Sequence, residues 1–81
     1  MADYQEVLAR VIKVTAEVLD IDESEVAEDK SFSYHLGAES IDSIKLVVAF
    51  DEEFGIEMDE AEATQVQTVG AAVKYILKYL D

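Results

Sequence analysis

The chain has 81 residues, and its six Lys and Arg against nineteen Asp and Glu give it a net charge of −13. This length predicts one domain, no apolar run reaches the roughly 20 residues of a membrane span, and the lack of cysteine excludes disulfides and thiolate metal sites. We therefore expect a single domain over residues 1–81 that is monomeric and cytoplasmic, without a nucleic-acid partner or stable membrane insertion.

The negative charge is concentrated in the middle of the sequence. Residues 17–62 hold sixteen acidic residues and two lysines, Lys30 and Lys45, for a net charge of −14. Such a field draws basic surfaces of other proteins toward this segment. The alternative is a solvated acidic face that only keeps the protein soluble.

The first helix is predicted at about residues 3–19. Asp3 and Glu6 have the spacing of a capping box, in which each side chain accepts a hydrogen bond from the other residue's backbone. Apolar residues then recur at helical spacing, which predicts that one face packs on the core. They are Val7, Leu8, Val11, Ile12, Val18 and Leu19.

The periodicity fails between residues 20 and 39, so we expect a long ordered loop. Its alternating acids resemble a calcium-binding loop, but Glu25 stands where that loop needs glycine and Ser31 where it needs a bidentate Glu. We therefore reject a calcium site. Scattered apolar residues are expected to fix the loop to the helices, namely Val26, Phe32 and Leu36.

The second helix, predicted at residues 40–54, carries two apolar stripes. At 100° per residue, one stripe spans a sector of roughly 100° and the other lies more than 100° away on average. The first stripe suits the core, and the second suits a partner protein. Burial of both stripes inside a bundle is the alternative. The first stripe consists of Leu46, Val47, Phe50 and Phe54, and the second of Ile41, Ile44 and Val48.

Two further helices complete an all-α prediction. Gly55 is suited to end the second helix in the left-handed conformation. Asp59 and Glu62 form a second capping-box pattern, which predicts a short helix to about Gln65. Thr68 is expected to cap a final helix. The predicted fold is a small four-helix bundle with three main helices, one short helix and a long first loop.

Ser40 is the residue on which function is expected to depend, because it follows a glycine loop at the start of the second helix. Nucleophilic catalysis is not expected there. The one histidine, His35, lies in the same loop, and the chain lacks both a G-x-S-x-G motif and a strand to carry it. We expect His35 to pack against Tyr34, with a pH-sensitive contact near Ser40 as the alternative.

Leu36-Gly37 is followed two residues later by the motif Glu39-Ser40-Ile41. Further characteristic segments are Asp29 to Phe32, Asp42 to Ile44, Glu52 to Glu57, Gln67 to Gly70, Val73, and Tyr75 to Ile76. Along nearly the whole chain these residues resemble the acyl carrier protein family, in which the motif after Leu-Gly is Asp-Ser-Leu.

The resemblance implies a non-catalytic carrier for fatty acid, specialised lipid or polyketide-type synthesis. Ser40 is identified by it as the serine that receives 4′-phosphopantetheine from coenzyme A through a phosphopantetheinyl transferase. Acyl-transferring and chain-elongating enzymes would then dock through basic patches. The implied docking residues are Glu39, Ile41, Asp42, Ile44, Lys45, Val48, Asp51 and Glu52. The implied acyl-chain pocket is lined by Leu46, Phe50, Phe54 and Ile76.

The chain departs from the family pattern at several positions. Glu39 replaces the usual Asp, Lys45 replaces a usual acid, Asp59 replaces a frequent Pro, and Tyr34-His35 replaces a commonly acidic pair. These departures favour a specialised carrier as much as a general one. Two alternatives stay open: an aminoacyl or peptidyl carrier of the same fold, and an unmodified acidic adaptor in which Ser40 only caps the helix.

Overall fold

The computed structural model describes residues 3–80, and within this range it contains four α-helices and no β-strand. The helices are α1 (Tyr4–Leu19), α2 (Ser40–Phe54), α3 (Glu60–Ala63) and α4 (Val69–Leu80). A 3-10 turn at Glu23–Glu25 interrupts the loop between α1 and α2. The predicted all-α fold is confirmed. None of the helices in this range is long and apolar enough to cross a membrane.

The ends of the first two helices follow from the residues found there. Asp3 caps α1, but its side chain accepts a 3.4 Å hydrogen bond from the Gln5 N–H. The predicted capping box with Glu6 is therefore wrong, although the helix begins where it was expected. At the other end Asp20 adopts the left-handed conformation with φ 56°, and Gly55 ends α2 with φ 64°, as predicted.

The short helix α3 is two residues shorter than predicted. Asp59 accepts a 3.0 Å hydrogen bond from the Glu62 N–H and so begins the helix as expected. The reciprocal half of the predicted capping box does not form, because the Asp59 N–H donates to Tyr79 Oη. Thr64 ends it, with its Oγ1 donating to the Ala61 carbonyl at 3.2 Å. The next amides, of Gln65 and Val66, bond three residues back, which makes a turn and not a further stretch of α-helix.

The core lies between α1, α2 and α4, because α1 packs against both of the other long helices. The least exposed apolar side chains in it, each 1% exposed or less, are Val11, Val69, Val73 and Ile76. The first apolar stripe of α2 is buried, as predicted, at Leu46, Val47, Phe50 and Phe54.

The loop between α1 and α2 is bound to the start of α4 by backbone hydrogen bonds. The N–H groups of Val69 and Gly70, which begin α4, donate to the carbonyls of Lys30 at 3.0 Å and Glu28 at 2.9 Å. The Ala71 N–H donates to Thr68 Oγ1 at 3.2 Å, so Thr68 caps α4 as predicted. The loop thus accepts hydrogen bonds from amides that a helix start would otherwise leave unpaired.

A cation also joins α1 to the end of α2. The Arg10 Nε donates to Glu53 Oε2 at 2.8 Å, and Nη2 donates to the Glu53 carbonyl at 2.6 Å. The same guanidinium lies 4.4 Å from the centre of the Phe54 ring. Both members of the ion pair are partly exposed, so its contribution to stability comes as much from this packing as from charge.

Thr15 is the buried polar side chain for which we predict a stabilising substitution. It is 0% exposed, and Oγ1 has no hydrogen-bond partner within the described residues. Because an unpaired buried hydroxyl costs about 1–3 kcal/mol, Thr15→Val should raise the free energy of unfolding by about 1 kcal/mol. Urea denaturation measures this change.

Thr64→Val is the matched control for that prediction. It makes the same chemical change at an exposed threonine whose hydroxyl donates to the Ala61 carbonyl. We expect this control to leave stability unchanged or slightly reduced. A loss of stability in Thr15→Val would show that the hydroxyl at position 15 is hydrogen-bonded in the folded protein.

Candidate functional site

Ser40 is the exposed first residue of α2, and a compact turn over residues 31–38 leads to it. Gly37 adopts φ 75° in this turn, a conformation that side chains disfavour. The Ala38 N–H then donates to the Phe32 carbonyl at 2.8 Å, and both of these side chains are buried. The turn is therefore anchored in the core two residues before the exposed hydroxyl.

The start of α2 fits a phosphate ester on Ser40. The helix has 15 residues, and the free N–H groups and dipole at such an end favour an anion. Asp42 Oδ2 accepts from the Glu39 N–H at 3.0 Å, so this carboxylate serves the backbone of the helix start. Glu39 itself is exposed. An exposed hydroxyl at this helix end can thus carry an anionic group without burying it.

His35 is held by its own loop. Its Nδ1 accepts a 2.8 Å hydrogen bond from the Ser31 N–H, and its ring packs edge-on against Tyr34 with the centroids 4.9 Å apart. The predicted contact with Tyr34 is confirmed. Since Nδ1 accepts from the backbone, the residue serves to close the turn, and this arrangement does not resemble a catalytic triad.

The second stripe of α2 is exposed. Ile41 is 60% exposed, Ile44 47% and Val48 52%. The alternative in which both stripes are buried is therefore wrong. Lys45 and Glu52 are exposed on the same helix. We call the five exposed residues Ile41, Ile44, Lys45, Val48 and Glu52 the α2 surface.

Two of the four acids predicted for docking have hydrogen bonds within the protein. Asp51 is half-buried, and its Oδ1 accepts from the Met58 N–H at 3.0 Å. Asp42 accepts from the Glu39 N–H, as described above. The sequence pattern placed Asp51 at the rim of the stripe. It could not show that the chain after Gly55 folds back, so that the Met58 N–H donates to Asp51. Glu39 and Glu52 are the two exposed acids of the set.

An apolar cavity lies between the buried face of α2, the α3 segment and α4. Its volume is about 40 Å³, far below the roughly 150 Å³ of an apolar cavity that admits benzene. Leu46, Phe50 and Ile76 line it, as predicted. Other lining residues were not predicted, among them Met58, Ala63, Thr64, Val66 and Tyr75.

Phe54 is not among the residues that line this cavity. It belongs to the same stripe as Leu46 and Phe50, but it lies at the last turn of α2, where its ring packs under the Arg10 guanidinium. The prediction that Phe54 lines the pocket is therefore wrong. Angular position on a helix gives the side that a residue faces, but it does not give the position along the helix where the cavity ends.

A line of hydrogen bonds joins α4 to α3 beside the cavity. Tyr75 Oη donates to Glu62 Oε1 at 3.0 Å, and the hydroxyls of Tyr75 and Tyr79 are 3.1 Å apart. The Asp59 N–H donates to Tyr79 Oη at 3.1 Å. Burial, with the bonds to Tyr79 and Glu62, raises the pKa of Tyr75 well above its usual value, so this hydroxyl stays protonated at neutral pH. The two tyrosines are four residues apart, the one sequence signal of this pairing.

The acids after α1 form local hydrogen bonds. Asp22 accepts from the Ser24 N–H at 3.0 Å, and this bond to the backbone lowers the pKa of Asp22. Glu25 accepts from the Asp22 N–H at 3.2 Å. These acids stabilise the 3-10 turn. Within residues 3–80, no three or more Asp, Glu, His or Cys side chains lie close enough together to bind a metal ion.

Comparison with known proteins gives the family. The family model for the phosphopantetheine attachment site matches residues 9–76. An acyl carrier protein of Phenylobacterium zucineum (strain HLK1) is 49% identical over 75 residues, which cover 93% of this chain and 95% of the relative. An acyl carrier protein of Caulobacter vibrioides (strain NA1000 / CB15N) is 49% identical over 71 residues, which cover 88% of this chain and 91% of that relative.

A carrier of a tethered group requires an exposed attachment point and space for the group. This helical protein has an exposed serine at a helix start and an apolar cavity beside that helix. The chain belongs to the acyl carrier protein family. Its cofactor is accordingly 4′-phosphopantetheine, and its role is that of a non-catalytic carrier. The predicted family, cofactor and absence of catalysis are confirmed by these matches.

Proposed function

We propose that Ser40 is the attachment residue and that the chain, as one domain, carries acyl groups as thioesters for fatty acid or specialised lipid or polyketide-type synthesis. The observation that carries this proposal is the exposed Ser40 hydroxyl on the first residue of α2. Ser40 Oγ would supply the ester oxygen, and the α2 N-terminus would stabilise the phosphate charge. The bound cofactor supplies the thiol that this cysteine-free chain lacks.

The α2 surface is the proposed docking site for the transferase and for acyl-transferring and chain-elongating enzymes. Its three apolar side chains stand next to Glu52, and Glu39 adds a second exposed acid at the helix start. A basic partner surface with an apolar centre complements this pattern. Asp42 and Asp51 belong to the proposed set as well, because each carboxylate accepts one backbone hydrogen bond and keeps its charge and further lone pairs for a cationic partner.

The cavity is the proposed shelter for the acyl chain. It is almost entirely apolar, and it lies on the side of α2 opposite the docking surface. Burying an alkyl chain there gains about 0.8 kcal/mol for each methylene removed from water. The carrier would thus keep its cargo on one face of α2 and meet its partners with the other. A cytoplasmic location stays a prediction.

The test of the attachment residue is the intact mass of the protein after incubation with coenzyme A, magnesium and a broad-specificity phosphopantetheinyl transferase. The wild type should gain the mass of one phosphopantetheine, and Ser40→Ala should gain none. Ser43→Ala is the matched control, since it removes a second hydroxyl from the same turn of α2 and should leave the mass gain intact. A gain that persists in Ser40→Ala would contradict the proposal.

Failure of the wild type to gain mass leads to a choice between two explanations. In the first, only a dedicated transferase recognises a chain with Glu39 beside Ser40. In the second, the chain is an unmodified adaptor that binds partners through its α2 surface. A panel of transferases separates these. An aminoacyl or peptidyl carrier would gain the same mass, and loading assays with acyl-activating and amino-acid-activating enzymes distinguish the cargo.

Lys45→Glu is expected to strengthen binding to a ketosynthase of general fatty acid synthesis. Lys45 is exposed one helical turn after Ile41, where its positive charge opposes a basic partner surface. Reversing it should lower the Kd roughly 3- to 10-fold at low salt and less at high salt. Titrations at two ionic strengths measure this effect.

Lys74→Glu makes the same charge change at an exposed site on α4, away from the α2 surface. Lys74→Glu should lower the Kd for the ketosynthase less than Lys45→Glu does. If Lys45→Glu binds no better than the wild type, Lys45 does not select partners.

A further inference from the structure

The cavity is too small for a long acyl chain in the described state. Its volume of about 40 Å³ is far below the roughly 150 Å³ of an apolar cavity that admits one benzene molecule. Because protein interiors are closely packed, a longer chain requires one wall to move. The position of the most weakly held wall therefore decides how the cavity enlarges.

The α3 segment, residues 59–66, is that wall. Helix α3 itself contains no fully buried residue, whereas the walls on α2 and α4 include Leu46, Phe50 and Ile76, each no more than 4% exposed. Met58, just before this segment, is buried and hydrogen-bonded to Asp51. This contact fixes the N-terminal end of the segment to α2.

The two tyrosines of α4 hold this segment by hydroxyl groups. Each tyrosine has one hydroxyl proton, so the bonds can run in one order: Asp59 N–H to Tyr79, Tyr79 to Tyr75, and Tyr75 to the Glu62 carboxylate. The Glu62 N–H donates back to Asp59 Oδ1 at 3.0 Å and closes the ring. The tyrosine rings also pack edge-on, with centroids 5.3 Å apart. The three bonds that pass through the tyrosine hydroxyls form one chain of donors and acceptors, and bonds in such a chain polarise and strengthen one another.

We propose that Tyr75 and Tyr79 form a hydroxyl latch that holds the α3 segment against α4 and so sets how far the cavity opens for an acyl chain. Tyr75 is suited to this role because it both lines the cavity and donates to Glu62. Both tyrosines are positioning residues, which act through α3. The part of the proposal that concerns acyl chains rests on the proposed function.

Amide hydrogen exchange of residues 59–66 in the unloaded protein tests the latch itself. Tyr75→Phe and Tyr79→Phe keep the rings and remove the hydroxyls, so exchange in this segment should become roughly 3- to 10-fold faster while the amides around Val11 keep their rates. Glu62→Gln retains an oxygen that accepts from Tyr75 and should stay near the wild-type rate. Glu62→Ala should behave like Tyr75→Phe.

Tyr4→Phe is the matched control. It removes another tyrosine–glutamate hydrogen bond, from Tyr4 Oη to Glu28 Oε2 at 2.6 Å, at the start of α1. It should leave exchange in residues 59–66 unchanged. Equal rates in the wild type, Tyr75→Phe and Tyr79→Phe would overturn the latch.

The second arm uses protein loaded with a long or a short straight acyl chain. With the long chain, Tyr75→Phe should slow cleavage of the thioester by hydroxylamine several-fold, because the chain enters the wider cavity more often. With the short chain the rate should not change. If amide exchange becomes faster in Tyr75→Phe but the cleavage rate of the long-chain thioester does not change, the latch does not control how far the cavity opens. Failure of the wild type to be loaded would count against the proposed function and not against the latch.

Discussion

Replacing Ile76 by alanine is expected to lower the free energy of unfolding by about 2–5 kcal/mol. Ile76 is 1% exposed and lies both in the core and at the wall of the cavity. The truncation would enlarge a cavity that the neighbouring helices already leave unfilled, so little collapse can offset the loss. For a domain of marginal stability this is a large fraction of the total. Urea denaturation monitored by circular dichroism measures it.

Leu77→Ala is the control for this substitution. It removes a side chain of the same size from the next position of α4, where the residue is only half-buried. We expect about half the loss seen at position 76. A loss below about 1 kcal/mol for Ile76→Ala would mean that the cavity closes when the side chain is shortened.

The melting temperature is expected to rise by roughly 5 to 10 °C when salt is increased from about 0.01 M to about 0.1 M. Over this range the Debye length falls from about 30 Å to about 10 Å. The described residues span 31 Å in their longest dimension, so at low salt the acids repel one another across this distance. Millimolar magnesium or calcium should act in the same direction, since cations accumulate near a strongly negative surface.

Two charge-removing variants test the cause of this salt effect. Glu57→Gln removes an exposed negative charge and should reduce the salt dependence, whereas Lys13→Gln removes an exposed positive charge and should increase it. A melting temperature that responds neither to salt nor to divalent ions would rule out repulsion as a determinant of stability.

Local sequence patterns predicted the helices well because short-range physics determines them. The two stripes of α2 follow from helical periodicity alone, and the helix begins at Ser40 and ends before Gly55 as expected. Asp59 and Thr68 were identified as caps because their side chains bond within three residues. Where two backbone N–H groups could donate to one carboxylate, as at the start of α1, the pattern gave the right position and the wrong hydrogen bond.

Contacts between distant parts of the chain could not be predicted in this way. The carboxylate of Asp51 accepts from Met58, and the ring of Phe54 lies under Arg10, because of how α1 and the segment after Gly55 meet α2. Each of these two side chains therefore has a contact that the sequence pattern did not show. The position of Ser40 was predicted because it depends on a glycine turn and a helix start that adjoin it in sequence.

The backbone hydrogen bonds between the first loop and α4 have a consequence for the order of folding. Gly70 donates to Glu28, 42 positions away, and Phe32 donates to Gln67, just before α4 and 35 positions away. Contacts at such separation form late, after the helices that bring them together. The turn that leads to Ser40 is thus expected to become ordered only when α4 is in place. A transferase that requires this turn would modify finished molecules and pass over nascent or unfolded chains.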